Sequence, residues 1–164
     1  MATPTTLPAT FVAGNVLTAA QQNALRGAFR VLQVVTTVFS TQTSTTSTSY
    51  VTTGQTATIT PSATSSKILV ICTFNVQGAT GQNMNITLFR GTVAGTDLAA
   101  GAQGLGLFAT GANVPVAPLT MTYLDSPSTI SAQVYTAGMK TTGGTIYANI
   151  AAVTGTMTLM EISA

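Results

Sequence analysis

The run KILVICTFNVQ, residues Lys67–Gln77, is the longest apolar stretch of the chain and consists largely of strand-forming residues. Successive side chains of a strand point to opposite faces. One face therefore carries only apolar residues, namely Ile68, Val70, Cys72, Phe74 and Val76. The other face is apolar at Leu69 and Ile71 and then becomes polar, whereas a strand with one solvated face alternates along its whole length. We predict a core strand whose second face, at Leu69 and Ile71, is covered by another sheet or by another subunit.

Short segments rich in β-branched and aromatic residues recur along the rest of the chain, and Gly/Pro turns separate them. The predicted strands are residues 30–39, 55–60, 67–76, 83–90, 105–109, 118–124, 130–139, 145–151 and 157–162. The Thr/Ser tract at 41–53 is predicted to be an extended edge segment, and its role is left open. Without βαβ alternation, this pattern predicts an all-β fold, an antiparallel β-sandwich or jelly roll.

The first 29 residues differ from the rest of the chain. A Thr/Pro-rich start is followed by a capping-box pair, Thr18 and Gln21, which predicts a short helix over about 19–26. Two helical turns cannot cover the apolar residues around it, which are Phe11, Val12, Val16, Leu17, Leu25 and Phe29. This segment either packs under the β domain or docks on another protein, and the residues alone favour neither alternative. We divide the chain into an arm, 1–29, and a β domain, 30–164.

Residues suited to catalysis or metal binding are scarce. Charged residues make up 5% of the chain, there is no His, and the acids are Asp97, Asp125 and Glu161. Nucleophile arrangements that need His are excluded, and a pair of catalytic carboxylates is not expected from three scattered acids. Asp125 is expected in a turn and Glu161 on an outward face. We predict a protein that is not an enzyme and has no cofactor or metal.

The charge pattern also limits the possible partners. The net charge is +2 and the five basic residues are scattered, so nucleic-acid binding is not expected. No apolar run is long enough to cross a bilayer as a helix. The single cysteine, Cys72, cannot form an intramolecular disulfide and is expected to be a buried, inert thiol. Because a free monomer normally carries more charge than this chain, we expect partner proteins to cover much of the surface.

Several segments together resemble a β domain of tailed-bacteriophage structural proteins. They are SKILVICTFNVQG, MNITLFRGT, LTMTYLDSPSTISAQVYTAGMKTTGGTIYANI and MTLMEISA. The N-terminal FVAGNVLTAAQQNALRG is similar to the attachment segment that opens many phage head-fibre, decoration and tail-fibre proteins. The resemblance implies a jelly roll of the tumour-necrosis-factor and C1q type, which assembles as a homotrimer. It also implies that the second cover of Leu69 and Ile71 is a trimer interface, and that the six apolar arm residues attach to the virion.

The expected function is therefore a capsid decoration (cement) protein or short head fibre on the outer surface of the virion, bound to the phage major capsid protein. The alternative is a tail or baseplate fibre knob that binds a host receptor through tail or baseplate proteins. Carbohydrate sites usually use aromatic platforms, but the chain has no Trp. Its tyrosines fall mostly in predicted strands, where packing explains them: Tyr50, Tyr123, Tyr135 and Tyr147. The absence of a shaft between arm and knob favours the head over the tail.

Overall fold

The structure, a computed structural model, describes residues 18–19, 31–109, 111 and 115–163. These residues form eleven β-strands and one short 3₁₀ turn, Ile150–Ala152. The strands are β1 (Val31–Phe39), β2 (Thr43–Thr45), β3 (Val51–Ile59), β4 (Lys67–Gln77), β5 (Asn83–Arg90), β6 (Thr96–Asp97), β7 (Gly106–Ala109), β8 (Ala117–Asp125), β9 (Gln133–Thr141), β10 (Ile146–Ala148) and β11 (Gly155–Ile162).

The strands form two antiparallel sheets. Sheet I has the order β1-β11-β4-β8, with β10 and β2 continuing beside the end of β4. Sheet II has the order β3-β9-β5-β7, with β6 also paired to β5. The eight longer strands pass between the sheets in the sequence I, II, I, II, II, I, II, I, which gives the two four-stranded sheets of a jelly roll. The predicted all-β antiparallel sandwich is confirmed.

The core lies between the two sheets, and β4 supplies its centre. The predicted apolar face of β4 is at most 1% exposed, from Ile68 to Val76. Opposite it, sheet II contributes Met84, Ile86 and Leu88 from β5, together with Tyr135 from β9, each fully buried. Alternation therefore identified the core face of β4 correctly, because a period of two fixes which side chains share a face.

Three predicted strands differ from the structure by three residues or more at one end. β9 begins at Gln133 and not at residue 130, because residues 126–132 form a loop in which the Ser131 N–H bonds the Thr129 hydroxyl at 3.1 Å. β10 ends at Ala148, since Asn149 and Ala151 have φ values of 53° and 59°. β3 starts earlier than predicted, at the end of the Thr/Ser tract, and β2 within the tract pairs with β10.

The predicted outward position of Glu161 is wrong. Glu161 has the same parity in β11 as Met157 and Leu159, which face the core, and it is 0% exposed. Its carboxylate accepts hydrogen bonds from the Ser62 N–H (2.7 Å), the Ser62 hydroxyl (2.7 Å) and the Gln33 side-chain amide (2.6 Å). Hydrogen bonds from β1 and the β3–β4 loop thus compensate the burial of this charge.

The predicted turn position of Asp125 is also wrong. Asp125 is the last residue of β8, which extends one residue beyond its predicted end. Its side chain lies on the inward face of the strand and is 6% exposed. The Tyr135 hydroxyl donates to its Oδ2 at 2.7 Å, and the Arg90 guanidinium forms a salt bridge with it at 3.2 Å. This cluster joins β8 of sheet I to β9 and β5 of sheet II.

Candidate interaction face

The outer face of sheet II is covered by the chain itself at β5, although Leu107 of β7 and Val134 of β9 on the same face are exposed. Phe89, on the outward side of β5, is 4% exposed and meets the edge of the Tyr50 ring at a centroid distance of 5.4 Å. The Lys140 ammonium lies 4.4 Å from the centre of that ring. The segment between β5 and β7 adds Val93, which lies close to Gly138 on the face of β9. This layer explains why the interior of β5 is buried on both faces.

The outer face of sheet I, in contrast, presents apolar side chains to solvent. Strand pairing places Val34, Met160, Leu69 and Leu124 in one row across β1, β11, β4 and β8. Val34 is 54% exposed and Leu124 is 48% exposed, while Leu69 and Met160 are half-buried. We call this row the apolar strip. Directly paired side chains in a sheet touch their neighbours, so the strip is a contiguous surface and not a set of scattered residues.

The rows beside the apolar strip are uncharged on one side and end in one charge on the other. The next row contains Ile71 between threonines, and the Thr36 and Thr158 hydroxyls lie 3.1 Å apart. The row on the opposite side pairs Val31, Ile162 and Lys67. Of the charged side chains that the structure describes, Lys67 alone is exposed. Few charges would therefore have to be desolvated if a partner protein covered this face.

The outer face of sheet I is large enough to form a substantial part of a protein interface. Four strands about 4.8 Å apart and four rows about 6.8 Å apart make a face on the order of 500 Å². A standard interface buries about 800 Å² on each partner. Sheet I alone therefore supplies more than half of such an interface.

The predicted trimer-interface residues, Leu69 and Ile71, lie together on this face, and both are half-buried. Within the described part of the chain no second layer covers them, so cover by another subunit stays a prediction. Sequence reasoning missed Val34, Met160 and Leu124. Each strand's alternation marks its own outward residues, but only the register between strands shows that these three align with Leu69.

The predicted attachment residues Phe11, Val12, Val16, Leu17, Leu25 and Phe29 lie outside the residues that the structure describes, as does nearly all of the predicted helix. The first strand residue, Val31, pairs with Ile162, so β1 begins at the end of the sandwich where β11 finishes.

Two ionisable groups of the interior, Cys72 and Tyr135, have raised pKa values. Burial raises the pKa of the Cys72 thiol to about 12, and its Sγ donates to Oε1 of the buried Gln55 at 3.1 Å. Burial and the hydrogen bond to Asp125 raise the pKa of Tyr135. Both groups are therefore protonated at neutral pH, and neither is poised as a nucleophile or base.

Glu161 is the exception, since its pKa is lowered. Burial acts to raise the pKa, but the hydroxyls of Ser66 and Ser62, the Gln33 amide and the Ser62 N–H outweigh it and bring the value to about 2. The Ser66 hydroxyl has no hydrogen-bond partner of good geometry, so we attribute its effect to its dipole. Glu161 is ionised at neutral pH and stabilises the surrounding backbone.

A cleft of about 250 Å³ lies at the end of the sandwich opposite Val31, where β1 finishes. It is lined by Val38, Phe39, Ser40, Thr41, Thr43, Thr53, Gly54 and Asn149. None of these side chains is ionisable, so the cleft offers no acid or base to a reaction. Among the described residues, no group of three or more His, Cys, Asp or Glu is placed to hold a metal. No helix within the described ranges is long and apolar enough to span a membrane.

No protein-family model matches the chain, and no curated protein matches it. Solved structures do match. The VP2 subviral particle of infectious bursal disease virus aligns with a TM-score of 0.45 and 15% identity over 78% of this chain and 32% of that chain. The Gx strain of the same virus aligns with a TM-score of 0.44 and 10% identity over 80% and 36%. The chain spans about a third of these proteins, and at such TM-scores the likeness carries no functional argument.

Proposed function

We propose that this protein is a structural component of a tailed-phage virion, a capsid decoration (cement) protein or a short head fibre, which acts by adhesion and not by catalysis. Residues 1–29 attach it to the major capsid protein, and residues 30–164 form a knob on the outer surface of the particle. Three knobs associate through the outer face of sheet I, including Leu69 and Ile71.

The observation that carries this proposal is the apolar strip. It is contiguous across four strands of a rigid jelly roll, and charge is almost absent around it. A surface of this kind gains free energy when a protein partner removes it from water. The segment resemblance supports a virion as the place of assembly.

The mechanism follows from linking three arms through one knob assembly. Each arm is a separate contact with the shell, and once the first arm is bound, the second and third bind at a high effective concentration. Weak individual contacts thus give a long residence time on the particle. Self-association of the knob is the step on which this avidity depends.

Substitution of the face tests self-association. Leu69→Lys and Ile71→Lys place an uncompensated charge in the contact, at a cost of about 3 kcal/mol per contact, which weakens association by at least about 100-fold. Val153→Lys is the matched control. Val153 is 40% exposed and lies in the loop before β11, at the end of the sandwich away from Val31. Light scattering coupled to size-exclusion chromatography measures the assembly state. The proposal would be contradicted if Leu69→Lys and Ile71→Lys still formed trimers at the protein concentrations at which the wild type does.

Deletion of residues 1–26 tests attachment. The truncated protein is expected to fold and self-associate but not to bind particles that lack the protein. Failure to fold would show that the arm belongs to the core of the knob. Imaging of the intact virion then separates the two locations, since hundreds of copies at capsid three-fold or quasi-three-fold positions favour decoration, and a few copies at the tail tip favour the receptor-binding alternative.

A further inference from the structure

Two loops lie at the end of the sandwich where β1 begins. Val31 pairs with Ile162, which in turn pairs with Lys67, so β1 begins where β11 finishes and β4 starts. The loop at 60–66 leads into β4 at this end, and the loop at 126–132 joins the end of β8 to the start of β9. We call these two loops, residues 60–66 and 126–132, the foot.

The first foot loop is held in place by Glu161. The buried carboxylate accepts hydrogen bonds from the N–H and the hydroxyl of Ser62, each at 2.7 Å. It also accepts one from the side-chain amide of Gln33 in β1. The loop is closed further by a hydrogen bond from the Ser66 N–H to the Ala63 carbonyl at 3.1 Å. Because charge-assisted hydrogen bonds are the stronger ones, the backbone of this loop is fixed before any partner arrives.

The second foot loop is fixed at both ends. At its start, Asp125 is bound by Arg90 and Tyr135. At its end, the Gln133 amide donates to the carbonyls of Ser131 and Ala132 at 3.1 and 3.0 Å. Ile130 lies within this loop with 60% of its surface exposed. A large apolar side chain is thus presented to solvent on a braced backbone.

The foot carries no ionisable side chain. Its sequences are TPSATSS and SPSTISA, so it offers hydroxyl groups and Ile130 to a partner. The acids at this end, Glu161 and Asp125, are buried and bound by residues of the chain itself. Such a surface, with the exposed Lys67 at its edge, suits a partner that supplies backbone or hydroxyl groups and a depression for one aliphatic side chain.

We infer that the foot is a second contact with the shell protein and seats the knob directly on the surface that the arm grips. This inference rests on the proposed function. The strand to which the arm is joined, β1, begins at the foot, so a shell-bound arm brings this end of the sandwich to the shell. A preorganised loop loses little conformational entropy on binding, so even a small foot contact adds to the affinity of the arm.

The test uses the full-length protein and purified particles of the parent phage that lack it. Ile130→Asp is expected to weaken binding at least about tenfold, since a charge would be desolvated against the shell. Thr64→Lys, in the other foot loop, is expected to act in the same direction. Val153→Asp at the opposite end is expected to bind like the wild type. Unfolding curves and light scattering confirm that each variant keeps its fold and assembly state.

The outcomes separate the foot from the proposed function. Wild-type binding by both foot variants, or equal weakening by Val153→Asp, would overturn the foot contact while leaving attachment through the arm intact. If the wild-type protein itself does not bind the particles, the proposed function fails and the foot contact fails with it.

Discussion

Two buried tyrosine hydroxyls differ in whether they have a hydrogen-bond partner. The Tyr135 hydroxyl donates to Asp125, whereas the Tyr50 hydroxyl is buried without a hydrogen-bond partner, in a layer packed on Phe89. A buried polar atom without a partner is destabilising, and removal of one partner of a buried pair is costly. The sequence alone does not show which of the two tyrosine hydroxyls has a hydrogen-bond partner.

The matched pair Tyr50→Phe and Tyr135→Phe tests this difference. Tyr50→Phe removes an unsatisfied hydroxyl and is expected to leave the free energy of unfolding unchanged or slightly raised. Tyr135→Phe leaves the buried Asp125 carboxylate with one donor fewer and is expected to cost about 1–3 kcal/mol. Urea denaturation of both variants measures the difference. A larger loss for Tyr50→Phe than for Tyr135→Phe would contradict the assignment.

Glu161 makes stability depend on acid pH. Its pKa is lowered from 4.5 to about 2 in the folded protein, so the carboxylate contributes stability that is fully present above about pH 4.5 and is lost as the pH falls to about 2. Glu161→Gln is expected to lower the free energy of unfolding at neutral pH by about 1–3 kcal/mol and to flatten its decline in this window.

Lys67→Gln is the control for Glu161→Gln, because Lys67 is exposed and its removal also changes the net charge by one. Its unfolding free energy should follow that of the wild type across the same window. A Glu161→Gln variant with the full wild-type acid dependence would show that other groups govern it.

At the scale of elements, the two sheets differ in what lies outside them. The segment between β5 and β7 folds back over sheet II, and Gly104 lets it approach closely. A Cβ there would lie 2.8 Å from the Tyr50 hydroxyl and closer still to the Ile86 carbonyl oxygen, and φ is +75°. Sheet I has no such cover among the described residues, which leaves its outer face as the candidate interface.

Gly104→Ala is therefore expected to loosen the layer over sheet II. The positive φ and the clash with the Ile86 backbone should together cost about 1–3 kcal/mol. Gly111→Ala is the control, since a Cβ at Gly111 meets no atom within 4 Å. Hydrogen exchange should rise in β5 and in residues 91–105 of Gly104→Ala but not in β1 or β11. Uniformly faster exchange would indicate global destabilisation instead.

At the scale of the whole molecule, the small number of exposed charges predicts how self-association responds to salt. Raising the salt concentration from about 0.1 M to about 1 M shortens the Debye length from about 10 Å to about 3 Å and weakens charge pairs. An apolar contact is not weakened in this way. Sedimentation velocity should thus show assemblies that persist at high salt, and dissociation into monomers would indicate that charges hold them together.

The sequence was sufficient for the fold class and for one side of the core. Alternation in β4 identified the buried face from Ile68 to Val76, and the spacing of turns indicated a sandwich of short strands. These features are local, since a period of two and the φ preferences of turn residues act over a few residues. The apolar pair Leu69 and Ile71 was visible for the same reason.

Only the tertiary structure decided how strands align and what each acid contacts. The apolar strip exists because β1, β11, β4 and β8 pair in one register, and residues far apart in the chain meet in it. Glu161 is tolerated inside because Ser62 and Gln33 reach it from two other elements. Pairing register and long-range hydrogen bonds depend on the path of the whole chain, so no local pattern encodes them.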